Sequence, residues 1–171
     1  MVKPATEGST VGVTIVRGED EVAGALEEAA SLSSEVIVET YVPGRELAVG
    51  VLGDQALPVI EIEPEGGFYD YASKYTKGKS RYTVPARLPE ATTARASEQA
   101  IRAFQVLGGR GFGRVDFRLR EDGGLFCLEL NTIPGLTETS LAPMAAKAAG
   151  MSYRELVERL VTLARESSPG V

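Results

Sequence analysis

Hydrophobic and polar positions follow two different periods along the chain, and this mixture predicts an α/β fold. Alternation with a period of two is typical of strands, whereas an apolar stripe that repeats every three to four residues is typical of helices. The predicted strands are residues 11–16, 36–38, 46–52 and 56–62. The predicted helices are residues 19–32, 89–107, 141–149 and a last helix that begins at a capping box of Ser152 and Glu155.

A tight hairpin is predicted where Asp122 and Gly123 separate two alternating runs. A symmetric loop centred between these two residues places four polar side chains on one face of the strand pair. The polar pairs are Arg114 with Asn131 and Asp116 with Glu129. The apolar pairs expected on the other face are Val115 with Leu130, Phe117 with Leu128 and Leu119 with Phe126.

The polar face of this hairpin has two interpretations. Asp116, Glu129 and Asn131 are the oxygen ligands that a hard cation holding phosphates requires. In the alternative, the face meets solvent and Arg114 neutralises its acidic neighbours, as in many antiparallel sheets. Two carboxylates opposite one another destabilise a sheet unless a cation lies between them, and this favours the metal site.

Three other segments have a candidate role in binding. Residues 65–85 lack a sustained period and are rich in Tyr, Gly and Lys, which is typical of a functional lid. Lys3 precedes a Gly-containing loop at residues 7–13, which either folds over phosphates or is an ordinary surface turn. Glu39 and Glu46 lie at strand ends, where a carboxylate can hold a ribose or an adenine amino group, although isolated glutamates are more often simply exposed.

Composition excludes several classes of protein. The chain has 171 residues, enough for one sizeable domain or two small lobes, and a net charge of −6 that argues against a general nucleic-acid binder. The absence of histidine removes His-based triads and His-ligated zinc. A single cysteine, Cys127, and the lack of a signal peptide or membrane-span pattern predict a cytoplasmic protein.

Several groups of residues resemble, in order and spacing, the motifs of one known family. They are Lys3-Pro4, Glu7-Gly8-Ser9, the strand that ends in Glu39, Pro43-Gly44-Arg45-Glu46, Phe68-Tyr69-Asp70-Tyr71, Lys74-Tyr75, Gly113-Arg114-Val115-Asp116, Glu129-Leu130-Asn131-Thr132 and Pro134-Gly135. The family is that of the D-alanine–D-alanine ligases, ATP-grasp enzymes of bacterial cell-wall synthesis, and the resemblance covers essentially the whole chain.

The resemblance implies an α/β (α+β) ATP-grasp fold in which helices flank an antiparallel sheet. Residues 1–46 would be the remainder of the central lobe, and residues 47–171 the C-terminal catalytic domain with a lid at about residues 65–85. Residues 1–4 begin as the end of a buried strand. We therefore expect the chain to be the C-terminal portion of a longer protein that also has an N-terminal domain.

The resemblance also implies which residues form the site. The residues implied to bind ATP are Lys3, Glu39, Val42, Glu46, Phe68 and Lys74. The residues implied to hold two Mg²⁺ or Mn²⁺ ions are Asp116, Glu129 and Asn131, with Glu129 bridging both ions. The implied catalytic residues are Arg114, Ser9 and Tyr75, and the implied D-alanine-binding residues are Tyr69, Ser140 and Leu141.

The reaction so implied joins two D-alanines for peptidoglycan precursor synthesis. ATP would phosphorylate the carboxylate of the first D-alanine, and the amine of the second would then attack the acyl-phosphate. The implied partners are D-alanine and ATP, without nucleic acid or membrane, and a homodimer is an option for the full-length protein.

Two alternatives to this function stay open. The chain could belong to another ATP-grasp ligase that joins a different carboxylate to a different amine; Lys74-Tyr75 favours an amine acceptor, whereas Thr139 stands where many relatives carry a His before Ser140. It could also be a nucleotide- or metal-binding fragment without turnover. We expect the isolated chain to be inactive, because ATP-grasp sites close between lobes.

Overall fold

The computed structural model describes residues 1–8, 10–64 and 80–167, and the helices and strands of these residues are close to the predicted ones. The strands are β1 (Val2–Pro4), β2 (Val36–Val38), β3 (Arg45–Leu52), β4 (Gln55–Ala56), β5 (Ile60–Pro64), β6 (Ser80–Thr83), β7 (Phe112–Leu119) and β8 (Leu125–Asn131). The helices are α1 (Val22–Leu32), preceded by a 3₁₀ turn at Glu19–Glu21, then α2 (Glu90–Val106), α3 (Leu141–Ala148) and α4 (Tyr153–Ser167). The described residues therefore form the mixed α/β fold that the sequence predicts.

The chain divides into two compact units over the described residues. One consists of Met1–Val42 with Glu63–Arg81, and the other of Pro43–Ile62 with Tyr82–Val171. In the first unit β1 and β2 form an antiparallel ladder, and Ala25 of α1 packs with Val2 of β1 in a small apolar cluster.

The predicted strand at residues 11–16 is wrong. Only Thr14 makes a strand-like bridge, with Val2, while Val11 and Val13 donate backbone hydrogen bonds to turn carbonyls close by in the sequence. Thr10 has a φ of 65° and Gly12 a φ of 68°, which lies in the left-handed region and is incompatible with an extended chain. The alternation of apolar residues in this segment reflects a partly buried loop.

Over the described residues, a six-stranded sheet has the order β6-β5-β3-β7-β8, with the short β4 paired to β3. The central strands β3 and β7 are antiparallel along their full lengths, from Arg45 opposite Leu119 to Leu52 opposite Phe112. One face of these strands packs against α2 and forms the main core. The buried members of that core are Leu47, Val49, Val51, Val59, Ala96, Ala100, Phe104, Val115, Phe117 and Leu119.

The register of the β7–β8 hairpin confirms the predicted polar pairs and corrects two of the apolar ones. Arg114 lies opposite Asn131, and Asp116 lies opposite Glu129. The predicted pairs Phe117–Leu128 and Leu119–Phe126 are wrong, because Phe117 lies opposite Cys127 and Leu119 opposite Leu125. A β-bulge after Asp116 accounts for the shift, and it leaves Leu128 as the extra residue of β8.

The last helix, α4, begins at the capping box that the sequence predicts. The backbone N–H of Ser152 donates to the Glu155 carboxylate at 2.7 Å, and the N–H of Glu155 donates to the Ser152 hydroxyl at 3.2 Å, so the predicted capping box is present.

Among the helices of the described residues, none has the length and apolar character needed to cross a membrane.

Candidate active site

The candidate site lies on the face of β7 that points away from the main core. Because Val115, Phe117 and Leu119 belong to the core, alternation places Arg114, Asp116 and Arg118 on the opposite face. On β3, the residues opposite Arg114 and Asp116 are small, Gly50 and Ala48, whereas Arg118 lies opposite Glu46. This face therefore carries a row of charged side chains next to a strand that contributes little bulk.

A cluster of four polar side chains occupies the end of this row next to β8. The Arg114 guanidinium donates from Nε and Nη2 to the two oxygens of Asp116, at 2.7 and 2.8 Å. The amide nitrogen of Asn131 donates to Asp116 Oδ2 and to Glu129 Oε1, both at 3.1 Å. One chain of hydrogen bonds therefore links the guanidinium, the two carboxylates and the amide, from Arg114 through Asp116 and Asn131 to Glu129.

This cluster has the chemistry of a cation site. The described residues contain no group of three or more His, Cys, Asp or Glu side chains arranged to hold a metal ion, so the third oxygen ligand here would be an amide. Asn131 bridges both carboxylates through its nitrogen. Rotating the amide by about half a turn exchanges its nitrogen for its oxygen without changing its shape, and that oxygen is a ligand for Mg²⁺. The three side chains fit the predicted role.

The other end of the row holds Glu46. Arg118 Nη1 donates to Glu46 Oε2 at 3.2 Å, and the side chains are only 10% and 16% exposed. Sequence reasoning identified Glu46 but missed Arg118, because the two residues are 72 positions apart and pair only through the β3–β7 ladder. The signal that the sequence offered was a basic residue, Arg118, within the alternating pattern of β7.

In the first unit, the structure brings together two of the predicted nucleotide-binding residues. Lys3 Nζ lies 2.9 Å from Glu39 Oε1, and both side chains are partly exposed. Val42 is half-buried near the end of the same stretch of chain. A phosphate bound by Lys3 would therefore have to share the Lys3 ammonium group with the Glu39 carboxylate.

Ser140 and Leu141 lie at the start of α3 as predicted. The Ser140 side chain does not cap the helix; its hydroxyl lies 2.8 Å from the Thr137 hydroxyl and accepts from the Thr137 N–H at 3.1 Å. The Leu141 side chain is buried, so its backbone N–H is the group available to an anion. Thr137 is a second residue that sequence reasoning did not assign to the site.

The remaining predicted site residues lie outside the described residues. They are Ser9, Phe68, Tyr69, Lys74 and Tyr75. Of the predicted lid at residues 65–85, the structure describes the last part, in which Ser80–Thr83 form β6 beside β5.

The one cysteine of the chain lies close to the cluster on β8. Partial burial, together with the nearby Asp116 carboxylate, raises the pKa of the Cys127 thiol. The thiol form is therefore favoured, and Cys127 brings no additional negative charge to the two carboxylates.

Comparisons with known proteins identify the class of this fold. The chain is similar to the VanG D-Ala:D-Ser ligase of Enterococcus faecalis, with a TM-score of 0.82 and 36% identity over 95% of this chain and 48% of that chain. It also resembles the D-alanine–D-alanine ligase of Bacillus anthracis in complex with ATP, with a TM-score of 0.79 and 28% identity over 99% of this chain and 52% of that chain. The fold is that of the ATP-grasp ligases.

The family follows from the sequence comparisons. The family model described as "D-ala D-ala ligase C-terminus" matches residues 1–162. A D-alanine–D-alanine ligase of Syntrophotalea carbinolica is 53% identical over 161 residues, which are 94% of this chain and 52% of that protein. The chain belongs to the D-alanine–D-alanine ligase C-terminal family, and it spans about half the length of the relatives it matches.

Proposed function

We propose that this chain carries the catalytic half of an ATP-dependent D-alanine–D-alanine ligase. The enzyme joins two D-alanines through an acyl-phosphate and so supplies a precursor of peptidoglycan. The observation that carries the proposal is the cluster of Asp116, Glu129 and Asn131 beside Arg114, on the face of the hairpin that points away from the main core. The family of the chain and its similarity to a ligase in complex with ATP support it.

In this proposal the acidic cluster holds the cations that accompany ATP. Asp116, Glu129 and Asn131 would hold two Mg²⁺ or Mn²⁺ ions. When bound, such ions neutralise charge on the phosphates during phosphoryl transfer. The exposure of Glu129 and the hydrogen bonds from Asn131 to both carboxylates support the assignment, because the three groups already converge on one point.

Arg114 has a different role in the same cluster. Its guanidinium lies beside Asp116 at the edge of the site and stabilises the negative charge that develops on the acyl-phosphate and on the tetrahedral adduct formed by the incoming amine. Such electrostatic stabilisation is usually the largest single contribution to catalysis. Arg114 also limits the repulsion between Asp116 and Glu129 before the cations bind.

The nucleotide and the second D-alanine occupy separate groups of residues. Lys3 contacts a phosphate of ATP, and Glu39, Val42 and Glu46 line the adenosine site. Ser140, with its hydroxyl oriented by Thr137, and the backbone N–H of Leu141 hold the carboxylate of the second D-alanine. The start of a helix favours anions, which supports this last assignment. The roles of Ser9, Phe68, Tyr69, Lys74 and Tyr75 stay predictions.

The test is a calorimetric titration of Mg²⁺-ATP into this chain and into its Glu129→Gln variant. We expect binding to this chain and at least a tenfold weaker affinity in the variant, because a carboxylate that holds the cations of the nucleotide would contribute more than about 1.4 kcal/mol. Glu98→Gln is the matched control, since it removes the same charge from an exposed position on α2.

Unchanged affinity in Glu129→Gln would contradict the metal assignment. If the unmodified chain does not bind Mg²⁺-ATP, the Glu129→Gln and Glu98→Gln variants are compared in the full-length protein. There, D-alanine-dependent phosphate release has to disappear in Glu129→Gln and persist in Glu98→Gln if the proposal is correct.

A specific alternative is that D-serine takes the place of the second D-alanine, since one of the similar structures is described as a D-Ala:D-Ser ligase. With full-length protein, phosphate release is measured with D-alanine alone and with D-alanine plus D-serine or D-lactate. We expect D-alanine alone to support the highest kcat/KM. A higher kcat/KM with D-serine would assign the chain to the ligases that use this acceptor.

The wider setting of the enzyme follows from the same proposal. We assign residues 1–46 to the central ATP-grasp lobe and residues 47–171 to the C-terminal catalytic domain. The full-length enzyme would act in the cytoplasm, where ATP and D-alanine are available, and as a homodimer.

A further inference from the structure

We propose that Arg118 is a positioning residue that holds the Glu46 carboxylate toward the hydrogen-bond donors of the nucleoside. This inference rests on the proposed function, in which Glu46 belongs to the adenosine site. Arg118 would not touch the substrate itself; it would act by fixing the charge and the direction of Glu46.

The geometry of the sheet pairs these two residues directly. Glu46 of β3 and Arg118 of β7 are opposite one another in the antiparallel ladder, and a charge-assisted hydrogen bond of 3.2 Å joins Arg118 Nη1 to Glu46 Oε2. Directly opposite residues in a sheet have side chains that leave on the same face and meet along their length. The rigid central strands therefore determine where the Glu46 carboxylate lies.

Burial makes the pairing necessary. Glu46 is 16% exposed and Arg118 10% exposed, so neither charge is well hydrated. An ionised carboxylate with little water is costly unless a cation compensates it. Removing Arg118 would take away the cation that lies directly opposite Glu46, so the Glu46 carboxylate would no longer be held in this position for the nucleoside.

The charges along β7 extend this argument to the metal cluster. Arg118 lies opposite Glu46 and on the same face as Asp116, two residues along β7. Along β7 the charged residues on this face are Arg114, Asp116 and Arg118. Arg118 is therefore next to both the acidic group proposed for the nucleoside and an acidic group proposed for the cations.

A second ion pair, between β3 and β5, provides a structural comparison. Arg45, adjacent to Glu46 but on the opposite face, donates from Nε and Nη2 to both oxygens of Glu61, at 2.5 and 2.6 Å. Arg45 Nη2 also donates to the Arg87 carbonyl at 2.9 Å. Both oxygens of Glu61 are thus engaged within the protein, as expected for a pair whose role is to stabilise the sheet.

The test compares steady-state kinetics of the full-length ligase that carries this chain with those of its Arg118→Met, Arg118→Lys and Glu46→Gln variants. We expect Arg118→Met to raise KM for ATP about tenfold, the equivalent of one charge-assisted hydrogen bond, and to change kcat less than about twofold. Arg118→Lys keeps the charge and is expected to recover part of this loss. Arg45→Met is the control and is expected to lower Tm without raising KM for ATP.

Nucleotide analogues identify the group of the nucleoside that donates a hydrogen bond to the Glu46 carboxylate. 2′-Deoxy-ATP lacks a ribose hydroxyl, and inosine triphosphate lacks the adenine amino group. For one of these two analogues, KM is expected to be the same in the unmodified enzyme and in Arg118→Met, because the donor that Glu46 accepts from is already absent.

The proposal is overturned if Arg118→Met, or Arg118→Lys where the Met variant does not fold, leaves KM for ATP within about twofold of the unmodified enzyme. Equal increases for ATP and both analogues, or the same increase in Arg45→Met, would likewise show a purely structural role. Absence of ATP-dependent ligation in the unmodified full-length enzyme would instead refute the proposed function. An active enzyme in which Glu46→Gln has no effect would refute the role of Glu46.

Discussion

The side chain of Asp122 organises the turn that determines the register of the β7–β8 hairpin. Its carboxylate accepts hydrogen bonds from the Arg120 guanidinium and from the Gly124 N–H, the latter at 2.9 Å. The Arg120 N–H donates to the Gly124 carbonyl, and Gly123 has a φ of 83°, which favours glycine at this position. The loop is thus centred on Asp122, although the residue is fully exposed.

The pKa of Asp122 gives a test of this turn. Arg120 and the Gly124 N–H lower the pKa of the Asp122 carboxyl from 3.8 to about 2. A lowered pKa in the folded state means that ionised Asp122 stabilises the fold above about pH 4, and that this contribution is lost as the pH falls through about 2. We expect Asp122→Asn to lower Tm at pH 7, and the difference from the unmodified chain to shrink between pH 4 and pH 2.

Glu121→Gln is the control, because it removes a carboxylate from the same turn. Thermal unfolding at pH 7, 4 and 2, together with an NMR titration of the Asp122 carboxyl, provides the measurement. A carboxyl that titrates near pH 4 would contradict the assigned role of Arg120 and Gly124.

Side-chain alternation and turn chemistry predict most of what lies on this hairpin, since both are local properties of the sequence. Arg114, Asp116, Glu129 and Asn131 could be placed on one face because the signal comes from fewer than twenty consecutive residues. The pairs Phe117–Leu128 and Leu119–Phe126 could not be corrected from the sequence, since nothing in residues 125–128 distinguishes a bulge from a regular strand. Glu46 and Arg118 meet only once β3 and β7 have paired.

At the level of the elements, α2 and the sheet are held in contact by the ring of Phe104. Phe104 is 2% exposed and lies against Gly109 and Gly113, where there is no room for a larger residue. A Cβ atom added at Gly113 would be 2.7 Å from the Phe104 ring, closer than real Cβ contacts allow. Gly113 lies next to Arg114, so this contact adjoins the candidate site along β7.

We expect Gly113→Ala to destabilise the fold by about 1–3 kcal/mol, because the buried ring cannot move away without a cost. Gly24→Ala is the matched control, since its added methyl group would meet nothing within 4 Å and lies within α1. That substitution is expected to stabilise the helix by about 0.5–1 kcal/mol. Urea unfolding measures both changes.

The combination of Gly113→Ala with Phe104→Leu separates overpacking from other effects of the alanine. If the ring is the obstacle, the double variant loses less stability than the sum of the two single variants. Strict additivity would show that the Gly113 backbone, rather than its contact with Phe104, determines the stability.

Helices α1, α2 and α4 were predictable because each has a long apolar stripe and a recognisable start, such as the capping box at Ser152. The segment at residues 11–16 misled the prediction, since its alternating valines are partly buried without belonging to a strand. The positive φ at Thr10 cannot be inferred from the sequence, because threonine rarely adopts it.

At the scale of the whole molecule, the chain provides two compact units and about half the length of its relatives. The metal cluster, Glu46 and Ser140 all belong to the larger unit, whereas Lys3 and Glu39 belong to the smaller one. In the proposed function all of these groups act on one ATP and two amino acids. We therefore expect the complete reaction only of the full-length protein.

We expect full-length protein to release phosphate from ATP in the presence of D-alanine and to form D-alanyl-D-alanine. The isolated chain is expected to show no D-alanine-dependent phosphate release above a buffer control, because it spans only about half the length of the ligases it matches. A coupled phosphate assay with dipeptide detection by mass spectrometry measures both. Steady, D-alanine-dependent turnover by the isolated chain would contradict this expectation.

The β-bulge at Leu128 determines which residue of this hairpin can be lost without disturbing the site. The turn centred on Asp122 and the extra residue in β8 offset one another, so the polar pairs of the site are restored beyond the bulge. Removing the residue at position 128 would shorten the strand and still leave Asp116 opposite Glu129. The loss of one residue in the part of β8 between the turn and the site would therefore keep the site residues with their partners.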